Sequence, residues 1–170
     1  MDLAAFIRDI PDFPKPGIRF KDITPLLADP ASFAASIEML AAHYSDRKPD
    51  AIAAVEARGF LFAAPLALIL RKPLIPLRKP GKLPYRTISL EYALEYGTAE
   101  LHMHTDAVQP GSRVLMVDDV LATGGTMQAA CSLIQKAGGT VHGAAFLVEL
   151  AFLAGREKLQ GVDVYSLVTY

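Results

Sequence analysis

Residues 113–126, RVLMVDDVLATGGT, set a continuous apolar run directly before two aspartates and a pair of glycines. An unbroken run of this kind is expected of a strand covered on both faces, as in a parallel sheet. The run predicts a strand over 113–117, with Asp118 and Asp119 leaving its carboxyl end. A helix follows from about Thr126 to Ala137 and ends at Gly138-Gly139. The alternation recurs elsewhere. AIAAV (51–55) is followed by a charged turn and a helical run from Phe60 to Leu70, then by PLIPL (73–77). Asp29-Pro30 opens a capped helix with Phe33, Ile37, Leu40 and Tyr44 on one face. TISLEYAL and TAELHMH alternate as an antiparallel pair would, and TVHGAAFLVEL and VDVYSLV read as further strands. The expectation is an α/β fold with a mostly parallel central sheet flanked by helices. Ligands of such sheets bind beyond the carboxyl ends of the strands, so the residues there matter most.

No repeat or flexible linker divides the 170 residues, and residues 1–170 are read as one domain. A 52% hydrophobic and 21% charged composition is that of a globular protein, with enough apolar surplus to allow a subunit interface. A net charge of -1 provides no field for nucleic acid. The lone Cys131 excludes an internal disulfide and a CxxC metal site, and its place inside a helix reads as packed. Asp2, Arg8 and Asp9 give the N-terminus no secretory form, and the apolar run Gly59–Leu70 is too short to span a bilayer. A cytoplasmic protein without membrane partners is expected.

The pair of glycines at 124–125 allows a tight turn and close backbone approach to a ligand. Exposed N–H groups at the helix start, with the Thr123 and Thr126 hydroxyls, form an anion site. Asp118 and Asp119 suit hydrogen bonds from vicinal sugar hydroxyls. Phosphate and diol together describe a ribose 5-phosphate. Neither GxxxxGK[ST] nor GxGxxG is present. Helix caps would explain one Asp or one Thr, and poorly explain D-D, T-G-G-T and a buried strand together.

A second feature is one of charge. Between Glu56 and Glu91 there is no acidic residue, while Arg58, Arg71, Lys72, Arg78, Lys79, Lys82 and Arg86 all fall in that window. A one-sign stretch in a nearly neutral chain points to an anionic partner or to a solvated face. With no aromatic stacking platform or helix-turn-helix beside it, a small polyanion such as pyrophosphate fits better than nucleic acid.

The segment 114–126 resembles the phosphoribosyl pyrophosphate (PRPP) signature of type I phosphoribosyltransferases. The resemblance runs from Phe13 to about Leu159 and includes VELAFLAGREKL (148–159). It implies the type I phosphoribosyltransferase fold, with a small hood from about 1–30 and a flexible loop at about 78–97. By that resemblance Ala122, Thr123, Gly124, Gly125 and Thr126 hold the 5-phosphate, and Asp118 and Asp119 bind the ribose hydroxyls. Glu56, Ala57, Arg58 and Gly59 match the pyrophosphate loop, which in the family is sometimes built around a cis peptide. Lys79 and Lys82 would face the pyrophosphate, and Arg78 would reach the neighbouring subunit of a homodimer.

FPKPGIRFKDITPLL (13–27) is expected to be ordered coil, because Pro14, Pro16 and Gly17 deny it a helix. It is similar to the base-reading segment of the adenine-specific members, where the backbone at the positions of Arg19 and Lys21 reads the purine edge and Phe20 lies between. Glu95, in LEYG, matches the residue that moves a proton on the base; spacing alone does not separate it from Glu91 and Glu100. Arg58 joins it among the residues that act on the reaction. The resemblance implies transfer from PRPP to adenine N9, giving AMP and pyrophosphate, with Mg²⁺ held mainly by substrate and water rather than by protein ligands. His102 and His104 share a strand face but lack a third ligand nearby and read as surface or interface residues. An oxopurine-specific transferase, a PRPP-sensing regulator and a PRPP synthetase subunit are the alternatives. They would need a different base segment, a DNA-binding module and ATP-handling segments respectively.

Overall fold

The computed structural model describes residues 1–93 and 97–170. The chain opens with a 3-10 turn at Leu3–Phe6, then β1 (Arg8–Pro11), β2 (Arg19–Asp22), α1 (Thr24–Ala28) and α2 (Pro30–Ser45). Next come β3 (Ala51–Val55), α3 (Gly59–Leu70), β4 (Leu74–Leu77), β5 (Thr87–Ala93) and β6 (Thr98–His104). β7 (Arg113–Leu121), α4 (Gly125–Lys136), β8 (Thr140–Glu149) and β9 (Val164–Thr169) complete it, with 3-10 turns at Ala151–Leu153 and Gly155–Lys158.

β4, β3, β7, β8 and β9 form, in that order, a five-stranded parallel sheet. Alternate residues of its central strands enter opposite cores. Ile52, Ala54, Leu115, Val117, Ala145 and Leu147 pack under α2 and α3. Ala53, Val55, Val114, Met116, Ala144 and Phe146 pack under α4 and the β5–β6 hairpin. This two-sided burial is why the strands read as unbroken apolar runs. Asp29 caps α2 by accepting the Ser32 N–H at 2.7 Å, and Ile37, Leu40 and Tyr44 of that helix are buried as expected. β5 and β6 pair antiparallel from Thr87↔His104 to Ala93↔Thr98.

Two expectations need correction. Residues 13–27 are not coil throughout: Arg19–Asp22 pairs antiparallel with Arg8–Pro11, and Thr24–Ala28 is helical. The prolines constrain only residues up to 17, after which the chain is free to pair, and Pro25 sits in the first turn of α1, where a missing N–H costs nothing. The second concerns Asp118 and Asp119, which lie within β7 rather than past its end. β8 continues to Glu149 and keeps pairing with β7 as far as Leu121.

β3 leaves β7 earlier, at the pair Ala54↔Val117. From Asp118 onward β7 is bonded on one side only, and a crevice opens between it and the turn after β3. The strand order also reverses there, with the chain passing from β3 outward to β4 and returning on the other side as β7. That switch point is where doubly wound sheets bind ligands.

Candidate active site

The crevice holds a cavity of about 430 Å³. Three stretches far apart in sequence line it: Arg19, Phe20 and Lys21 on β2, Glu56, Ala57 and Arg58 after β3, and Asp118 through Thr126 on β7 and its turn. Of the expected site residues these all converge. Gly59, Arg78, Lys79 and Lys82 do not line the cavity, and Glu95 lies outside the described residues.

The turn at residues 122–126 is shaped by backbone. Gly124 has φ +78°, in the left-handed region that disfavours a side chain, and α4 begins at the next residue. The N–H groups of its first turn therefore face the cavity with no carbonyl partners in their own helix. Thr126 Oγ1 lies 3.5 Å from the Tyr92 hydroxyl, which ties the loop to β5.

The carboxylates differ. Asp119 is buried at 4% exposure, with Arg58 Nε 2.8 Å from its Oδ2. That N–H is not aligned on the oxygen, and Oδ2 takes no hydrogen bond from any described residue. A buried acceptor with a free lone pair suits an incoming hydroxyl. Asp118 retains some surface on the cavity, yet enclosure by protein, followed by the charge of Asp119, raises its carboxyl well above the ordinary carboxylate range. Its Oδ1 accepts the Asp119 N–H at 2.9 Å. The two carboxyls thus differ in their surroundings, Asp118 enclosed against Asp119 and Asp119 facing Arg58.

Arg58 does more than neutralise. Its guanidinium carbon stands 5.3 Å from the centre of the Phe20 ring, so one side chain joins β2 to the floor of the crevice. Phe20 packs edge-on against Phe13 at 5.2 Å. The side chains of Arg19 and Lys21 turn instead toward Asp9 on β1, at 3.9 and 2.5 Å, and the Lys21 ammonium lies 3.5 Å from the Tyr170 ring. Strand alternation thereby leaves Phe20 on the cavity side and commits its neighbours elsewhere. β2 pairs only with β1 among the described residues, so its second edge has free backbone groups.

Glu56 occupies the turn after β3, and its peptide bond to Ala57 is cis. Its side chain, 7% exposed, gathers the basic loop: the Lys79 N–H donates to Oε1 at 2.5 Å, Lys82 Nζ to Oε2 at 2.9 Å, and Arg78 Nη2 stands at 3.5 Å. Burial works to raise the Glu56 carboxyl, but these donors outweigh it and hold the group below its ordinary value. Gly59 is the first residue of α3 and packs beneath Asp118.

Sequence reasoning missed the apolar wall. Ile18, Val120, Leu121, Met127, Leu150 and Leu153 all line the cavity. The available signal was position, since residues 150–153 follow the carboxyl end of β8 directly. His102 and His104 belong to no metal cluster: among the described residues no group of three or more His, Cys, Asp or Glu could hold an ion. His102 Nδ1 lies 3.0 Å from Thr87 Oγ1, and His104 Nε2 accepts the Tyr85 N–H at 3.4 Å. Cys131 is buried in the core, which pushes its thiol up to about 12.

An α/β sheet that gathers a helix N-terminus, two adjacent carboxylates and an apolar slot at its switch point has donors and acceptors that suit a phosphorylated, hydroxyl-bearing ligand. The family model of the phosphoribosyl transferase domain matches residues 22–167. The chain is 60% identical over 170 residues to an adenine phosphoribosyltransferase of Kosmotoga olearia, covering 100% of both. The crystal structure of the adenine phosphoribosyltransferase of Thermoanaerobacter pseudethanolicus superposes with a TM-score of 0.96 at 57% identity, over 99% of this chain and 98% of that one. That of Saccharomyces cerevisiae, complexed with D-2,5-dideoxy-2,5-imino-altritol 1,6-bisphosphate and adenine, gives 0.93 at 36% identity, over 98% and 96%. The chain belongs to the phosphoribosyltransferase family, among its adenine phosphoribosyltransferases.

Proposed function

We infer that the chain transfers the 5-phosphoribosyl group of PRPP to N9 of adenine, giving AMP and pyrophosphate, a purine-salvage reaction. The observation that carries this is the single cavity shared by the loop 122–126, the carboxylates 118 and 119, and β2. The naming of close relatives for the same transfer, and the adenine and sugar bisphosphate held by the yeast relative, support it.

In this reading the α4 N-terminus and Thr123 and Thr126 hold the 5-phosphate, and Asp119 and Asp118 take the ribose hydroxyls. Arg58 offsets charge that develops on the departing pyrophosphate. Lys79 and Lys82 join it by exchanging Glu56 for the pyrophosphate, a like-for-like swap of one anion for another. Ala57 and Gly59 contribute backbone on the same side. The free edge of β2 at Arg19 and Lys21 reads the base over Phe20, and Glu95 carries the proton on the imidazole ring. Asp118 and Asp119 are hard oxygen donors beside the sugar, the donor chemistry that magnesium takes. The ion would be held mainly by substrate oxygens and water, and when bound it neutralises the leaving group.

We read residues 1–170 as one domain with a hood from the first thirty residues. A homodimer is supported by an apolar stripe on α3, where Leu61, Leu68 and Ile69 are 44%, 80% and 52% exposed. Arg78 would then serve the partner's site. No helix among the described residues is long and apolar enough to cross a membrane, and a cytoplasmic location is proposed. Calorimetric titration tests the site itself: PRPP with Mg²⁺ and AMP should each bind the wild type. Failure of both to bind would overturn the reading.

A further inference from the structure

Behind the phosphate loop the chain makes a contact that uses no side chains. Gly155 is buried, and a Cβ there would clash with the Ala122 carbonyl oxygen and lie 3.0 Å from the Gly124 nitrogen. Reciprocally, a Cβ on Gly124 would collide with the Gly155 carbonyl and lie 3.1 Å from its Cα. The two backbones touch directly, so the position of Gly155 sets the path of Ala122–Gly124.

Gly155 is in turn held by its neighbour. Arg156 donates from Nε to Glu149 Oε1 at 2.9 Å and from Nη2 to Oε2 at 2.5 Å, a two-pronged grip of fixed geometry. Its Nη1 donates to the Val164 carbonyl at 2.8 Å, which fastens the same side chain to β9. Glu149 ends β8 with its side chain 7% exposed, and the Ser166 hydroxyl donates to Oε2 at 2.8 Å. On the other flank Leu159 is buried in the core. The segment between is pinned at both ends, and its one buried glycine presses on the phosphate loop.

We propose that the Glu149–Arg156 pair positions the phosphate loop: it sets the affinity for the 5-phosphate through Gly155 without touching substrate. The inference rests on the reading of residues 122–126 as the phosphate site. A displacement of about 1 Å in such a loop is enough to cost ten- to a hundredfold in binding or turnover. The grip also matters by chemistry. Lysine in place of Arg156 keeps the charge but loses the fork that fixes direction.

The test is steady-state kinetics of Glu149→Gln, Arg156→Lys and Gly155→Ala, with KM for PRPP and adenine measured separately and AMP affinity by calorimetry. The expected result is a KM for PRPP raised about tenfold, AMP binding weakened in parallel, and KM for adenine within about twofold of wild type. A pair that serves only stability would lower the active fraction and kcat while leaving both KM values alone, and that outcome overturns the proposal. Gly155→Ala keeps the ion pair and strikes the loop directly, so it remains informative should the Glu149 variant fail to fold. Wild-type protein that neither binds PRPP nor turns it over would sink the site reading instead. Wild-type turnover with unchanged PRPP affinity in all three variants would sink only the clamp.

Discussion

Gly59 and Asp118 are packed so closely that a Cβ on residue 59 would lie 2.8 Å from Asp118 Oδ1 and 3.2 Å from the Val117 carbonyl. The start of α3 thus defines where the carboxylate of β7 can stand. Gly59→Ala should push Asp118 into the cavity or tilt the helix start, at a cost of about 1–3 kcal/mol. Urea unfolding should record that loss, and kcat/KM for PRPP should fall with it.

Asp118→Asn separates stability from catalysis. Enclosure raises the folded-state pKa of Asp118 above its ordinary 3.8, so its contribution to stability is full below that value and is lost as pH rises through the folded pKa. The asparagine variant should therefore gain on wild type as pH rises above 3.8, with the two converging below it. Its kcat/KM for PRPP should drop about a hundredfold. Thermal unfolding across a pH series, alongside kinetics at neutral pH, checks both halves.

Glu56→Gln should act with the opposite sign. The folded-state pKa of Glu56 lies below its ordinary 4.5, so the stability it contributes is present above 4.5 and is lost as pH falls through the folded value. Because Lys82 and Arg78 are 48% and 35% exposed, removing the charge should cost about 1 kcal/mol at neutral pH. The difference from wild type should shrink in acid. A constant difference from neutral pH to strong acid would show that the ion pairs are not its source.

These residues also mark what was legible in the sequence. Asp118, Asp119 and Thr123–Thr126 could be read directly, because strand, carboxylates and loop follow one another within a single stretch. The central strands could be read for the same local reason. The hairpin of β1 and β2 could not, since Arg8–Pro11 carries two charges and a proline and acquires strand form only from its partner. The gathering of Lys79 and Lys82 on Glu56 spans more than twenty residues and leaves no periodic trace. The burial of Glu149 is likewise invisible, because a Glu and an Arg seven residues apart look like ordinary surface charge until β9 brings Ser166 alongside.

The proposed homodimer is tested at Leu68, the most exposed of the α3 stripe at 80%. Leu68→Glu should leave the monomer fold intact, since the side chain meets little of its own chain, and should halve the mass seen by light scattering. A wild type that is monomeric at micromolar concentration would remove the homodimer from the account.

The central claim is the choice of base, and it is tested by turnover of PRPP and Mg²⁺ with adenine, hypoxanthine, guanine and xanthine in parallel. The account predicts AMP and pyrophosphate from adenine, with kcat/KM at least about a thousandfold above the oxopurines, as expected where a site built to hydrogen-bond one base edge leaves its groups unpaired against another. Preferred turnover of an oxopurine would contradict the account of β2, and PRPP binding without turnover of any base would contradict the enzyme itself.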